Sequence, residues 1–330
     1  MQKNLRKPGF GERIQQLAYL LKHTFTLVGR DPGIIRPWIR MTIYGLVMTC
    51  FFFAAIMAFV VGAHGLGWIL LTISVLLFIY KFFYFTRQEL RQSWLVSEAL
   101  QGRKRSADEA KARVKELAWT ARKIALIDLL VSWFMAMARG NNKSGRLVRL
   151  LLRGIEEVWD LLNHYLLPSA AVDSLGIRDG VSRMGKLKDN VPETLVGVFG
   201  IDIAARAVGT IMGPIYFLLF IGAIALGVWV GDAVPAFYAG DIRAMLEDVD
   251  ADFLPDPMHF SWLPLLIAIW IGKLGSVILE RLSTSVKVIY FSIFYMRITH
   301  VDDIIPEIRD DLDSYLRMEA EDPDPVAAPS

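Results

Sequence analysis

Cysteine is nearly absent: Cys50 is the one thiol in 330 residues. A lone thiol closes no internal disulfide and builds no thiolate cluster for zinc or iron. Lying inside an apolar run, Cys50 reads as a small core residue. Histidine is sparse and scattered as well. His23, His64, His164, His259 and His300 fall in separate regions, none of them four residues from another and none in an HExxH frame, which argues against a metal site. Phosphate-cradling loops are missing too, because Gly9-Phe10-Gly11 has no preceding strand and no following Lys-Ser/Thr. Glu156, Glu157 and Asp160 are close in sequence, but Arg149 and Arg153 on the same helix make them read as a solvated ionic face. The expectation is therefore no cofactor, no metal and no enzymatic constellation. No cleavable signal peptide is expected either, since the first apolar run begins only near Met41, behind a basic lead.

What the sequence has in abundance is apolar length. Hydrophobic residues make up 54 % of the chain, more than an ordinary soluble protein carries. A bilayer core takes ~20 helical residues at ~1.5 Å rise each. Four stretches meet that requirement: Met41 to about Gly62, Trp68 to Thr86, Ile211 to Val230, and a helix from Trp262 to about Thr299. The expected fold is thus an all-α integral membrane protein with four transmembrane helices in two hairpins, accompanied by interfacial amphipathic helices.

Charge distribution orients these hairpins. Residues 1–40 carry eight Lys/Arg against two acids, and residues 87–193 carry nineteen against thirteen. The link around Ala63 to Gly67 has no basic residue, and the long link 231–261 has one, Arg243, against seven acids. Basic residues gather on the cytoplasmic side of a membrane, so both termini are expected there and both links outside. Anionic lipid and topology explain the basic stretches without nucleic acid. Along the chain this gives a cytoplasmic or interfacial amphipathic helix in 1–40 and a first transmembrane hairpin in 41–86. A cytoplasmic and interfacial helical region follows in 87–193, then a second hairpin in 194–299 and an acidic cytoplasmic tail in 300–330. Ser106 to Glu109 has the pattern of a capping box. Residues 124–167 are ambiguous: Ile124 to Ala138 is short for a span and flanked by charge, and the helix after it is amphipathic. On that helix Val148, Leu151, Ile155, Val158, Leu162 and Tyr165 form the apolar face, and Arg149, Arg153, Glu156, Asp160 and His164 the polar one. The pair reads as interfacial or re-entrant. If both helices crossed, the orientation of everything else would survive.

One region resembles a known family. Trp159, the Tyr-Leu-Leu-Pro at Tyr165 to Pro168, Gly176, Arg183, Leu187-Lys188 and the run Leu195 to Ile201 are similar to an uncharacterised family of polytopic bacterial and archaeal membrane proteins, a domain of unknown function. His23 to Ile39 also resembles that family's opening, a helix turning into the first span. The resemblance implies a polytopic architecture in a cell membrane, as in a bacterial inner membrane, and no activity.

The remaining signal is polar. Counted from Trp262, Lys273 lies about 16–17 Å into a ~30 Å core, near its middle. An intramembrane charge is a functional hypothesis by default. Ser276, Glu280, Ser283 and Lys287 follow at helical spacing, making one polar stripe beside Gly272 and Gly275. Two readings stay open. The protein is a non-enzymatic scaffold or assembly subunit, its partners being the bilayer, other membrane proteins or a second copy; or it is a transporter, channel or lipid-handling protein using the stripe.

Overall fold

The computed structural model describes Gly29 and residues 31–140, 146–186, 191–241 and 258–310. Most of the stretch 1–40 in which the amphipathic helix is expected, most of the acidic link and most of the terminal tail lie outside these residues. A 3-10 turn, Pro32–Ile35, leads into α1 (Arg36–Val60) and α2 (His64–Leu100). Four helices follow: α3 (Ala107–Glu116), α4 (Ala118–Gly140), α5 (Arg146–Asp173) and α6 (Ile177–Lys186). The chain continues as α7 (Val191–Val230), β1 (Tyr238–Asp241), β2 (His259–Ser261) and α8 (Leu263–Thr299). Among the described residues the fold is all-helical apart from the short antiparallel β1–β2 pair. Among the described residues, four helices are long and apolar enough to cross a membrane: Pro32–Val60, His64–Leu100, Met212–Val230 and Leu263–Thr299.

Local chemistry explains the joints. Between α1 and α2 only Val61, Gly62 and Ala63 intervene, and Gly62 turns the chain at φ +82°, where a side chain would be strained. Asp31 accepts a hydrogen bond from Gly33 N at 2.8 Å and starts the turn that feeds α1. The capping box is complete: Glu109 N donates to Ser106 Oγ at 3.2 Å and Ser106 N donates to Glu109 Oε2 at 2.7 Å. At the far end of α5, where the last carbonyls have no amide partner in the helix, the Arg113 guanidinium serves as their donor. It reaches the carbonyls of Ala171 and Val172 at 3.1 and 3.2 Å and Ser174 Oγ at 2.6 Å.

The chain divides into two compact units: Met1–Met41, Phe82–Ile203 and Arg281–Ser330 form the first, and Thr42–Lys81 and Ala204–Glu280 the second. In the first unit the last turns of α8 are buried on every side. Val288, Ile289, Tyr290, Phe291, Ile293, Phe294, Tyr295 and Met296 are each at most 3 % exposed. A helix apolar all round belongs at the centre of a bundle, and here Leu95, Val96, Leu161 and Tyr165 pack around it with Ile304 and Ile308. Polar seams thread this core: Gln92 Nε2 donates to Ser285 Oγ at 2.6 Å and to the Ile34 carbonyl at 3.1 Å, and the Ser93 and Ser292 hydroxyls meet at 2.7 Å.

The second unit has the opposite distribution. Between 11 % and 22 % of the most apolar stretch of each membrane-length helix is buried, so most of that surface faces outward. Such an exterior suits lipid, whose tails are as apolar as leucine. Close contacts are made by small residues and aromatics. A Cβ on Gly275 would lie 2.9 Å from Tyr216 Oη, and one on Gly45 2.8 Å from Val277 Cγ1. Phe53 and Trp270 stack at 5.2 Å. Gly213 has open space at its Cβ position, and its neighbour Pro214 sits inside α7.

Two expectations change at the residue level. Cys50 is exposed and lines an apolar groove rather than filling a core. On α5 two residues leave the faces assigned to them, Val158 being 57 % exposed and His164 5 % exposed, while Tyr165 of the apolar face is buried. The reason is that the polar positions of α5 meet charges from other helices.

Candidate functional site: an ionic cluster in the first unit

The charges that α5 meets form a cluster drawn from four helices. Asp160 and His164 stand one turn apart on α5. Lys287, from α8, donates to Asp160 Oδ2 at 2.8 Å. His164 Nδ1 lies 2.7 Å from the Asp160 carbonyl and 3.2 Å from Asp160 Oδ1, so this nitrogen carries the proton. The ring's other nitrogen, Nε2, is buried and has no hydrogen-bond partner among the described residues. Phe291 covers the ring at 5.5 Å. Neighbouring Trp159 donates from Nε1 to Asp128 Oδ1 of α4 at 3.0 Å. Glu89 of α2 is buried within the electrostatic reach of His164, Arg281 and Asp128.

Burial penalises the charged forms here, and the pairing overrides it. Burial alone would raise the Asp160 carboxyl, yet the His164 and Lys287 charges hold it well below the usual carboxylate range. Burial would lower the His164 imidazole, yet Asp160 raises it above its ordinary value. By helix rise, Glu89 and Lys287 lie about 36–38 Å from the starts of α2 and α8, past the ~30 Å that a bilayer core spans.

A second constellation sits near the end of α8. Asp173 accepts from Arg183 Nη1 at 2.6 Å, from the Tyr295 hydroxyl, and from His300 Nε2 at 2.7 Å. His300 Nδ1 faces Asp303 Oδ2 at 3.1 Å. With a carboxylate at each nitrogen, the ring is satisfied as a double donor, the imidazolium.

The five residues of the sequence stripe separate. Lys273, Ser276 and Glu280 are exposed on α8 within the second unit, Ser283 is half-buried, and Lys287 is buried in the ionic cluster. The structure adds Glu89, Asp128, Asp160 and His164 to Lys287. The spacing of Asp160 and His164 was visible in the sequence, but nothing there pairs them with a lysine 127 residues away. Among the described residues, no three His, Cys, Asp or Glu side chains converge to hold a metal ion. Among its described residues the second unit has apolar hollows. One of about 540 Å³ is lined by residues including Cys50, Phe53, Met57 and Trp270; another of about 200 Å³ lies by Tyr216, Phe220 and Gly272. Comparison with family models, curated proteins and solved structures gives no match.

Proposed function

We propose that this chain is a non-enzymatic scaffold or assembly subunit of a cell membrane, with Lys273, Ser276 and Glu280 on the face that receives a partner helix. The observation carrying this reading is the exposure of that polar face on a helix of membrane length. A lysine near mid-bilayer costs ~2.5–3.5 kcal/mol on insertion scales when it faces lipid. A partner helix supplying polar groups removes that cost, and the partner is another membrane protein or a second copy. The buried ionic cluster then serves as a structural lock of the first unit. In the same proposal, both termini lie on the cytoplasmic side of a bacterial inner membrane, a placement supported by the basic flanks of the spans. Membership of the uncharacterised polytopic family belongs to it as well, supported by the residues from Trp159 to Ile201.

Thiol cross-linking in native membranes tests the interface, using a Cys50→Ser background. Ser276→Cys lies on the polar face and Ile278→Cys on the opposite one, and both wild-type residues are exposed. The proposal expects specific adducts at 276 and none at 278. Equal adducts at both positions, or none at 276, would sink it.

The transport or lipid-handling reading has one observation in its favour: the 540 Å³ apolar groove by Phe53 and Trp270, a shape suited to an acyl chain. Lys273→Met in reconstituted vesicles separates the two readings. Loss of flux with normal insertion favours transport, and unchanged flux removes Lys273 from it.

A further inference from the structure

The outward face of α4 has a composition that the core of the first unit does not account for. Its inward face is plainly structural. Ala121, Ile124, Ala125 and Met135 are buried, and Ala121 packs with Leu90, Val114, Leu167 and Val288. Asp128, the acid of this helix, bonds Trp159. The opposite face exposes Trp119, Leu126, Leu130, Trp133, Phe134 and Met137, the two tryptophans at 65 % and 62 %. At about 100° per residue these six side chains fall within one sector of roughly 120°. Arg122 and Lys123 are exposed in the same sector, and the Lys123 ammonium lies 5.2 Å from the Trp119 ring. Asp128 falls on the far side of the helical wheel, so the stripe holds two cations and no acid.

We propose that α4 lies in the headgroup region of the bilayer and recognises an anionic leaflet through this stripe. Four membrane-length helices of the same chain already place a bilayer within reach. Tryptophan is favoured at the membrane–water boundary, where its ring sits at headgroup level. Leu126, Leu130 and Phe134 supply the apolar side that an in-plane helix buries to the depth of the acyl boundary. Arg122 and Lys123 supply charges complementary to acidic lipid. The buried face holds the helix to the first unit and leaves the stripe as its outward side. The inference is independent of whether Lys273 marks a partner interface.

Spin labels on the full chain in lipid nanodiscs test it, again with Cys50→Ser. A label at Leu130→Cys should show an oxygen-to-nickel accessibility ratio several-fold above that of Lys111→Cys, an exposed position on α3. The ratio should fall when phosphatidylglycerol is replaced by phosphatidylcholine. Equal ratios at 130 and 111 would mean water covers the stripe and overturn the proposal. Inaccessibility to both reagents would mean protein covers it, with the same consequence, and a ratio indifferent to lipid charge would overturn the anionic preference. Trp133→Phe gives a second measurement without a label. Brominated lipid should quench the wild-type chain more than this variant, and equal quenching would also overturn it.

Discussion

Asp173 shows how much a single carboxylate can tie together in this protein. It gathers the Arg183 guanidinium, the Tyr295 hydroxyl and the His300 ring, and so joins the ends of α5, α6 and α8. Burial would raise its carboxyl, but the His300 and Tyr295 hydrogen bonds and the Arg183 charge hold it below the ordinary value. His300 moves the other way, raised chiefly by the bond to Asp173 and further by Asp303. The signs of the two contributions follow from linkage. His300's share of stability is fully present below its unfolded value of about 6.5 and is lost as pH rises through its raised folded value. Asp173's share is present above about 3.8 and is lost as pH falls through its depressed one. Both operate between these limits. We therefore expect His300→Gln to destabilise the detergent-solubilised chain by on the order of 1 kcal/mol below about pH 6.5. That deficit should shrink progressively at alkaline pH, as read from thermal unfolding of both proteins across the range. A deficit constant with pH would mean the ring acts through packing alone.

Among the elements, α8 and α7 differ in what the sequence reveals. The helices were legible because periodicity and apolar length are local properties. The capping box at Ser106 was legible for the same reason, four residues sufficing to specify two hydrogen bonds. The β1–β2 pair was not, since Tyr238–Asp241 and His259–Ser261 are too short to show an alternating pattern. What fixes the pair is contact with the end of α7. A Cβ on Gly227 would stand 2.8 Å from the Ser261 carbonyl oxygen and 2.6 Å from the Phe260 ring. Gly222, five residues earlier on the same helix, has nothing within 4 Å of that position. The two glycines therefore make a matched pair. Gly227→Ala should destabilise by about 1–3 kcal/mol, because a backbone carbonyl gives way poorly. Gly222→Ala should be neutral or stabilise by up to about 1 kcal/mol through helix propensity. Denaturant titration of both variants in one detergent decides it, and similar stability changes would mean the strand pair does not press on α7.

For the molecule as a whole, the sequence left one question on which the buried faces bear: whether α4 and α5 cross the membrane. Hydropathy could not decide, because a 15-residue apolar run with Asp128 inside it fits an amphipathic helix as well as a poor span. Packing argues for one side because α4 and α5 both contribute to the core of the first unit. Ala121 and Ile124 from one, and Leu161, Leu166 and Leu167 from the other, are buried there. Asp160 and Asp128 are each held by a protein donor in that unit, Lys287 Nζ and Trp159 Nε1. A lipid-immersed helix pair would expose those same positions to hydrocarbon and leave its charged groups without water, at several kcal/mol each. We therefore expect the pair to stay on one side. In a Cys50→Ser background, an impermeant maleimide should label Lys111→Cys, Asn142→Cys and Arg178→Cys from one face of the membrane. It should label Ala63→Cys, in the link between α1 and α2, from the other. Parity makes position 142 the discriminating one, since 111 and 178 share a side whether the pair crosses or not. Labelling of 142 from the same face as 63 would show two further spans, and the buried faces of α4 and α5 would then need another arrangement.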